Sequence, residues 1–243
     1  MNIDLAPLSG DWTKFTEIVE RRHCIVHNQA RASRRYCASN HSVEVGASLD
    51  AEPSYVQDAT TRLELMCLLT VAAVWRKFSV DTRDLIDTLE RIAFEALKRE
   101  RWTVSSRLYE AWSGLPLSEQ EKRMCQVNLW IAKKGTHGVE SIQAEVEAWD
   151  VSGSDESFHL ARLCLLDDID GACALLPRLL EHEKIGGEAL ATWPLLAPRR
   201  TDKRIDDYRD IMRAYVEDQT GPDTSDDAGE LPANLSEAQP PHP

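Results

Sequence analysis

The sequence predicts an all-α protein, on two observations. From Trp12 to about Ala214, apolar residues recur at spacings of three and four, in stretches of roughly 10 to 18 residues separated by short polar turns. Between Leu63 and Val74 they occupy nearly every side of a longer helix, which neighbouring elements must then cover. At 243 residues the chain is long enough for one large helical domain or two smaller ones.

Taken in order, residues 1 to 11 form a leader in which Ser9 or Asp11 caps the first helix, running from about Trp12 to His27 or somewhat beyond. Residues 38 to 54, with Asn40, Gly46, Asp50 and Pro53, break periodicity and form a loop, with a short hairpin expected around Val43 and Val45. A long helix follows from about Tyr55 to Phe78. Asp81 is placed to cap the next one, in which Leu85, Leu89, Ile92, Ala93, Ala96 and Leu97 repeat at three and four. Further helices are expected over 101 to 113, 117 to 134, 138 to 149, 155 to 166, 169 to 182, 187 to 196 and 202 to 217. Ser157 to Leu180 has the form of a helical hairpin turning at Asp167-Asp168-Ile169-Asp170. Such pairs resemble tetratricopeptide-type repeats, but without self-similarity at a fixed period, so an irregular helical array is expected. Trp102, Tyr109, Trp112, Trp130, Trp149 and Trp193 are expected to pack between its helices. After Asp218 the composition turns to Gly, Pro, Asp, Ser and Glu, and an acidic, Pro-rich tail over 218–243 is expected to be disordered and to screen basic residues elsewhere in the chain. The predicted organisation is thus a module over 1–80, the array over 81–217 and the tail.

Hydrophobic content of 42% and charged content of 28% describe an ordinary globular chain and exclude a disordered one. The six cysteines include no Cys-x2-Cys pair and several lie on apolar faces, which predicts reduced core residues and a cytoplasmic protein. The start lacks the basic and apolar blocks of a signal peptide, and the longest apolar run, Leu65 to Trp75, is too short to cross a bilayer. A formal net charge of -13 repels nucleic acid at long range, so any RNA must be captured by a local basic patch.

Such a patch exists. From Arg21 to Val43 there is no Asp or Glu, yet Arg21, Arg22, Arg31, Arg34 and Arg35 all fall there. At about 100° per residue, Phe15, Ile18, Val19, Ile25 and Val26 share one helical stripe with Arg22 near its middle, a cation where the pattern reserves a core position. No phosphate-binding glycine loop, dinucleotide fingerprint, nucleophile elbow or His-Glu-x2-His zinc motif is present. His23, Cys24 and His27 lack a fourth ligand for zinc, so no metal or cofactor is expected.

Arg22-His23-Cys24-Ile25-Val26-His27 has the form Arg, polar residue, three residues, His. With Glu20-Arg21, Asn28 and the later Arg35-Tyr36, it resembles the HEPN superfamily of helical ribonuclease and nucleotide-binding domains over roughly residues 12 to 78. The resemblance implies an abbreviated HEPN-like module, with fewer helices ahead of the motif than such domains usually carry. It implies metal-independent RNA cleavage in a composite cleft between the two protomers of a homodimer. It makes Arg22 and His27 catalytic, with His23 orienting or polarising them. Arg21, Asn28, Arg31, Arg34 and Arg35 become RNA contacts, and Tyr36 is structural. The family suggests a stress-response, toxin or antiphage role, with an antitoxin or regulatory protein as a further partner. The alternative is a catalytically silent helical scaffold that binds protein partners or a nucleotide through the same dimer surface.

The chemistry suits these residues. An imidazole titrates near neutral pH and can move the 2'-hydroxyl and 5'-oxygen protons, while a permanently charged planar guanidinium suits a phosphorane. Five residues apart, Arg22 and His27 diverge by about 140° on one helix, so a single copy makes a poor site and two helices crossing at a two-fold axis make a better one.

Overall fold

A computed structural model describes residues 11–79, 82–200 and 203, and over them the chain is all-α. The sole extended pairing among the described residues is an isolated bridge between Arg31 and Ser48.

Helix α1 spans Trp12–His27, as its periodicity predicts, and Asp11 is its N-cap, accepting from the Thr13 and Lys14 amides at 3.0 and 3.2 Å. Ser9 lies outside the described residues. The chain then turns through Gln29 and Ala30, both at positive φ, and enters α2, Arg34–Ser39, whose N-cap Ser33 accepts from the Tyr36 amide. This short helix departs from the expected organisation; six residues carry too little period to be seen as amphipathic.

The hairpin expected around Val43 and Val45 does not form. Val43 and Ala47 donate into successive turns, and the segment pairs instead with residues just after α1, through Ala32 N to Ala47 O at 2.8 Å and Leu49 N to Ala30 O at 2.7 Å. Helix α3 follows over Pro53–Phe78, with its proline at the first turn, where no amide donor is needed.

The array comprises α4 (Arg83–Lys98), α5 (Trp102–Ser113), α6 (Glu119–His137), α7 (Gln143–Ala148), α8 (Glu156–Leu165), α9 (Ile169–Glu181) and α10 (Gly187–Thr192). Thr82 occupies the N-cap of α4, and Asp81, expected in that role, lies outside the described residues. Two expected helices are interrupted. The stretch 138–149 starts as a 3₁₀ turn, Val139–Ser141, before α7, and 187–196 ends at Thr192 because Pro194 holds Trp193 in an extended conformation, followed by a 3₁₀ segment, Pro194–Arg199. The helix expected at 202–217 and the tail fall outside the described residues.

Side chains cap the starts of α6, α8 and α9. Ser118 and Glu121 form a capping box at the start of α6, and the hydrogen bonds from Ser118 and Arg83 draw the Glu121 carboxyl down to about 2. Lys134 closes the end of α8 on the Cys164 and Leu165 carbonyls at 3.2 and 3.0 Å, and Arg162 does the same for α7 on Val146 and Glu147. The hairpin α8–α9 turns where expected, with Asp167 at positive φ and Asp168 capping α9.

One large core runs from Leu65 to Leu196, and it takes in Tyr109, Trp112, Trp130 and Trp193 as packing residues, with Trp102 and Trp149 against its edge. A second, much smaller core holds Cys24, Ala32, Tyr36 and Leu49. Helix α3 belongs to both parts: its first turns meet α1, while Leu65 and Leu69 lie in the large core, so the module expected over 1–80 contributes residues to the core of the array. The chain does not cover α3 all round, contrary to its apolar composition. Packing on α4 and α5 buries one side and leaves Val56, Leu63, Val71, Val74 and Phe78 exposed. No described helix is long and apolar enough to cross a membrane.

Gly135 is required by the close approach of α6 to Trp102, since a Cβ there would stand 2.5 Å from the indole ring. Gly135→Ala gains about 1 kcal/mol of helix propensity but meets a ring that must shift, at about 1–3 kcal/mol. A lowered thermal unfolding midpoint is therefore expected, with Gly138→Ala, at φ +83, as a comparison governed by backbone strain instead.

Candidate nucleic-acid interface on the first helix

Adjacent residues on a helix point about 100° apart, and α1 uses that difference to divide its two central arginines. The face turned inward carries Glu17, Arg21 and Cys24, and the opposite face carries Val19, Arg22 and Val26.

The inward face is built around the Glu17 carboxylate. Its Oε1 accepts from Arg21 Nε at 2.6 Å and from the Tyr36 hydroxyl at 2.8 Å, and its Oε2 accepts from the Tyr55 hydroxyl at 2.9 Å. Arg21 uses its remaining donors on the Asp50 carbonyl at 2.8 Å and the Tyr36 hydroxyl oxygen at 3.0 Å. Its guanidinium also lies 4.4 Å from the centre of the Tyr55 ring, a cation–π contact. One carboxylate thereby ties α1 to α2, to the loop before α3 and to α3 itself.

The electrostatics follow. Burial alone would raise the Glu17 carboxyl, but hydrogen bonds from Arg21, Tyr36 and Tyr55 outweigh it and hold the group below its ordinary value. Burial and the Glu17 charge push Tyr36 up to about 12 and raise Tyr55 as well.

Arg21 is thus committed inside the fold and is not available as the phosphate contact expected of it. Tyr36 is buried and structural, as expected. Asn28 caps the end of α1 and donates to the Arg31 carbonyl at 2.6 Å, so its amide shapes the turn. Arg31 donates to the Gly46 carbonyl at 3.0 Å and keeps its charge uncompensated by any carboxylate. Arg35, with its side chain 81% exposed, pairs with Glu20 at 2.7 Å. Glu20 is only 5% exposed, and its other oxygen is buried without a partner.

Arg22, His23, His27 and Arg34 are exposed, and among the described residues Arg22 and Arg34 have no hydrogen-bond or ion-pair partner. His23 and His27 lie one turn apart with ring centres 4.9 Å from each other. Val19 and Val26, which flank Arg22 one turn to either side, are 46% and 54% exposed, and Trp12 is exposed as well. The centre of the stripe that the apolar pattern marks on α1, Val19, Arg22 and Val26, therefore faces outward, while Phe15 and Ile25 are half-buried and Ile18 is buried at its inner edge.

Glu17 and Tyr55 were not among the expected site residues. Glu17 and Arg21 stand four apart, an ion-pair spacing visible in the sequence; Tyr55, at the start of a helix 38 residues on, carries no local signal. Comparison of the chain with protein-family models, with curated proteins and with solved structures returned no match.

The Glu17 network sets a pH window. A carboxyl held below its ordinary 4.5 stabilises the fold above that value and loses the contribution as pH falls through its lowered folded value. Tyrosines raised above 10.0 contribute fully below that pH and lose the contribution as pH climbs toward about 12. Glu17→Gln is expected to cost about 1–3 kcal/mol at neutral pH and to flatten the acid limb of a stability–pH profile measured by urea unfolding. Tyr55→Phe should cost about 1 kcal/mol and soften the alkaline limb.

Proposed function

We propose that the chain is a metal-independent endoribonuclease of HEPN type that works as a homodimer. The observation that carries the reading is the outward stripe of α1: Arg22, His23 and His27 stand in solvent beside Val19 and Val26, apolar residues that this chain leaves uncovered.

In such a dimer, Arg22 of one protomer lies beside the partner's motif. His27 of one protomer takes the 2'-hydroxyl proton, the 2'-oxygen attacks the adjacent phosphorus, and the bond from phosphorus to the 5'-oxygen breaks as that oxygen takes a proton from the imidazolium of the second copy's motif, leaving a 2',3'-cyclic phosphate and a 5'-hydroxyl. Arg22 stabilises charge on the phosphorane, and His23 orients the pair. Arg31 and Arg34 hold flanking phosphates and position the strand without reading its sequence, and Arg35 joins them only by giving up its pairing with Glu20. DNA, which lacks the attacking hydroxyl, is not a substrate. A role in stress response, toxin action or antiphage defence, with an antitoxin or regulatory protein as partner, belongs to the same reading.

The test is RNA cleavage in EDTA by the full chain. His27→Ala and Arg22→Ala should each lower kcat/KM by about 100-fold or more, with 2',3'-cyclic ends on the wild-type products and no cutting of the matching DNA. Equal rates in the variants and the wild type would sink the assignment, and a folded dimer that cuts no RNA would leave the silent helical scaffold in its place.

The interface has its own expected outcome. Val19→Asp with Val26→Asp, both at exposed positions, should cost under about 0.5 kcal/mol of protomer stability each yet shift sedimentation from dimer to monomer and abolish cleavage together.

A further inference from the structure

Between α4, α6 and the segment from Lys184 to Trp193 lies a cavity of about 350 Å³. It adjoins a second of about 330 Å³, with which it shares Glu90, Gln120 and Met124. Neither cavity is lined by a residue of the α1 stripe, so the inference below stands independently of the ribonuclease reading.

The floor of the first cavity is a buried polar chain. Asn128, 1% exposed, donates from Nδ2 to the Tyr109 hydroxyl at 3.0 Å and accepts at Oδ1 from Trp193 Nε1 at 3.0 Å. An asparagine buried in mid-helix costs stability unless both ends of its amide are bonded, and here they are bonded to residues from two other segments. The result is a rigid base. The walls are apolar and largely aromatic: Phe94, Met124, Phe158, Ile185 and Trp193.

The charges at the rim are unbalanced. Lys184 is paired with Asp155 at 3.2 Å, and Arg83 is paired with Asp87 and with Glu121. Glu90 and Glu188 also line the cavity, and among the described residues neither carboxylate has a hydrogen-bond or ion-pair partner. Lys184 and Arg83 each already face a carboxylate within ion-pair distance, whereas among the described residues Glu90 and Glu188 face no cation so close. Phe94 and Phe158 already lie 5.7 and 6.0 Å from cations on neighbouring residues, Lys98 and Arg123, so the rings are accessible to positive charge. Burial, with Asp87 and Glu121 nearby, raises the carboxyl of Glu90 against the opposing pull of Arg83, whose charge is already shared with both of those acids.

We propose that this cavity binds a small amphiphilic organic cation, an ammonium group carried on an aromatic or aliphatic body, with Glu90 and Glu188 pairing the charge and the aromatic walls enclosing the body. Its size is that of a small-molecule site, and its composition, mostly apolar with a few polar groups at fixed positions, is that of one as well. An anionic ligand meets two unpaired carboxylates and is rejected; a neutral one leaves them unpaired.

The experiment uses the full chain and three probes of matched shape: 2-phenylethylammonium, 2-phenylethanol and 3-phenylpropionate. Titration is followed by calorimetry and by the emission of Trp193 and Trp112, which line the two cavities. The ammonium is expected to bind saturably and at least about tenfold tighter than either analogue, a difference of about 1.4 kcal/mol. Glu90→Gln, at an exposed position, should erase most of that preference without moving the thermal midpoint, and Met124→Trp should block all three probes by filling the shared wall. Equal affinity for ammonium and carboxylate, an unchanged preference in Glu90→Gln, or no saturable binding would each overturn the proposal. So would capture of a lysine-rich amphipathic peptide by a chain that ignores the ammonium, which would assign the surface to a protein partner.

Discussion

The arrangement of the N-terminal part rests on the single carboxylate of Glu17. The apolar residues buried in α1, α2 and the loops around them, Ile18, Cys24, Ala32, Tyr36 and Leu49, are few. Ordering a residue's backbone costs about 1–2 kcal/mol, and so small a set of buried side chains cannot balance the ordering of α1, α2 and their connecting loop. The balance comes from a half-buried polar network that crosses from α1 to α2, the pre-α3 loop and α3, and from the hold of α3 on the larger core. The same network fixes the rotation of α1 about its own axis. With Glu17 and Arg21 held inward, Val19, Arg22 and Val26 have no choice but the solvent.

This constraint explains why the candidate site was only half legible in the sequence. The periodicity correctly assembles Phe15, Ile18, Val19, Ile25 and Val26 with Arg22 on a common stripe, but an apolar stripe is by default assigned to the interior. What turns inward with Ile18 is a set of Glu17, Glu20, Arg21 and Cys24, mostly polar and therefore invisible to hydrophobic patterning. A buried ion pair at a spacing of four looks, in sequence, the same as a solvated one. The fate of Arg21 was decided by Tyr36 and Tyr55, which only tertiary structure brings to it.

The array was more legible because its information is local. Repeats at three and four place α4 to α6 and the α8–α9 hairpin closely. The misses have local causes as well: Pro194 breaks an expected helix by constraining Trp193, and α2 is too short to show a period. The aromatic residues distributed along this half are load carriers of the core, as in the edge-on contacts of Trp130 with Trp149 and of Trp149 with Phe158. Where they reach a surface, at Trp193 over Asn128, the wall of a cavity results. The packed frame and the open aromatic cavity are therefore products of the same contacts, and the carboxylates of Glu90 and Glu188 at its rim give it a sign.

Charge also bears on the oligomeric state in which the first helix could work. The whole chain carries a formal net charge of -13, which opposes approach of a polyanion. Around the first helix, Arg21 is neutralised by Glu17 and Arg35 is paired with Glu20, leaving Arg22, Arg31 and Arg34 as cations without a carboxylate partner among the described residues. Three exposed arginines spread over a helix and the turn behind it make a weak field at physiological salt, where screening acts within about 8 Å. Two copies related by a two-fold axis along the Val19–Val26 stripe would double that number inside one cleft and exclude water from part of it, strengthening each phosphate contact. Covering the apolar stripe and concentrating positive charge are then satisfied by the same contact, which is why the dimer and the chemistry proposed for α1 stand or fall together.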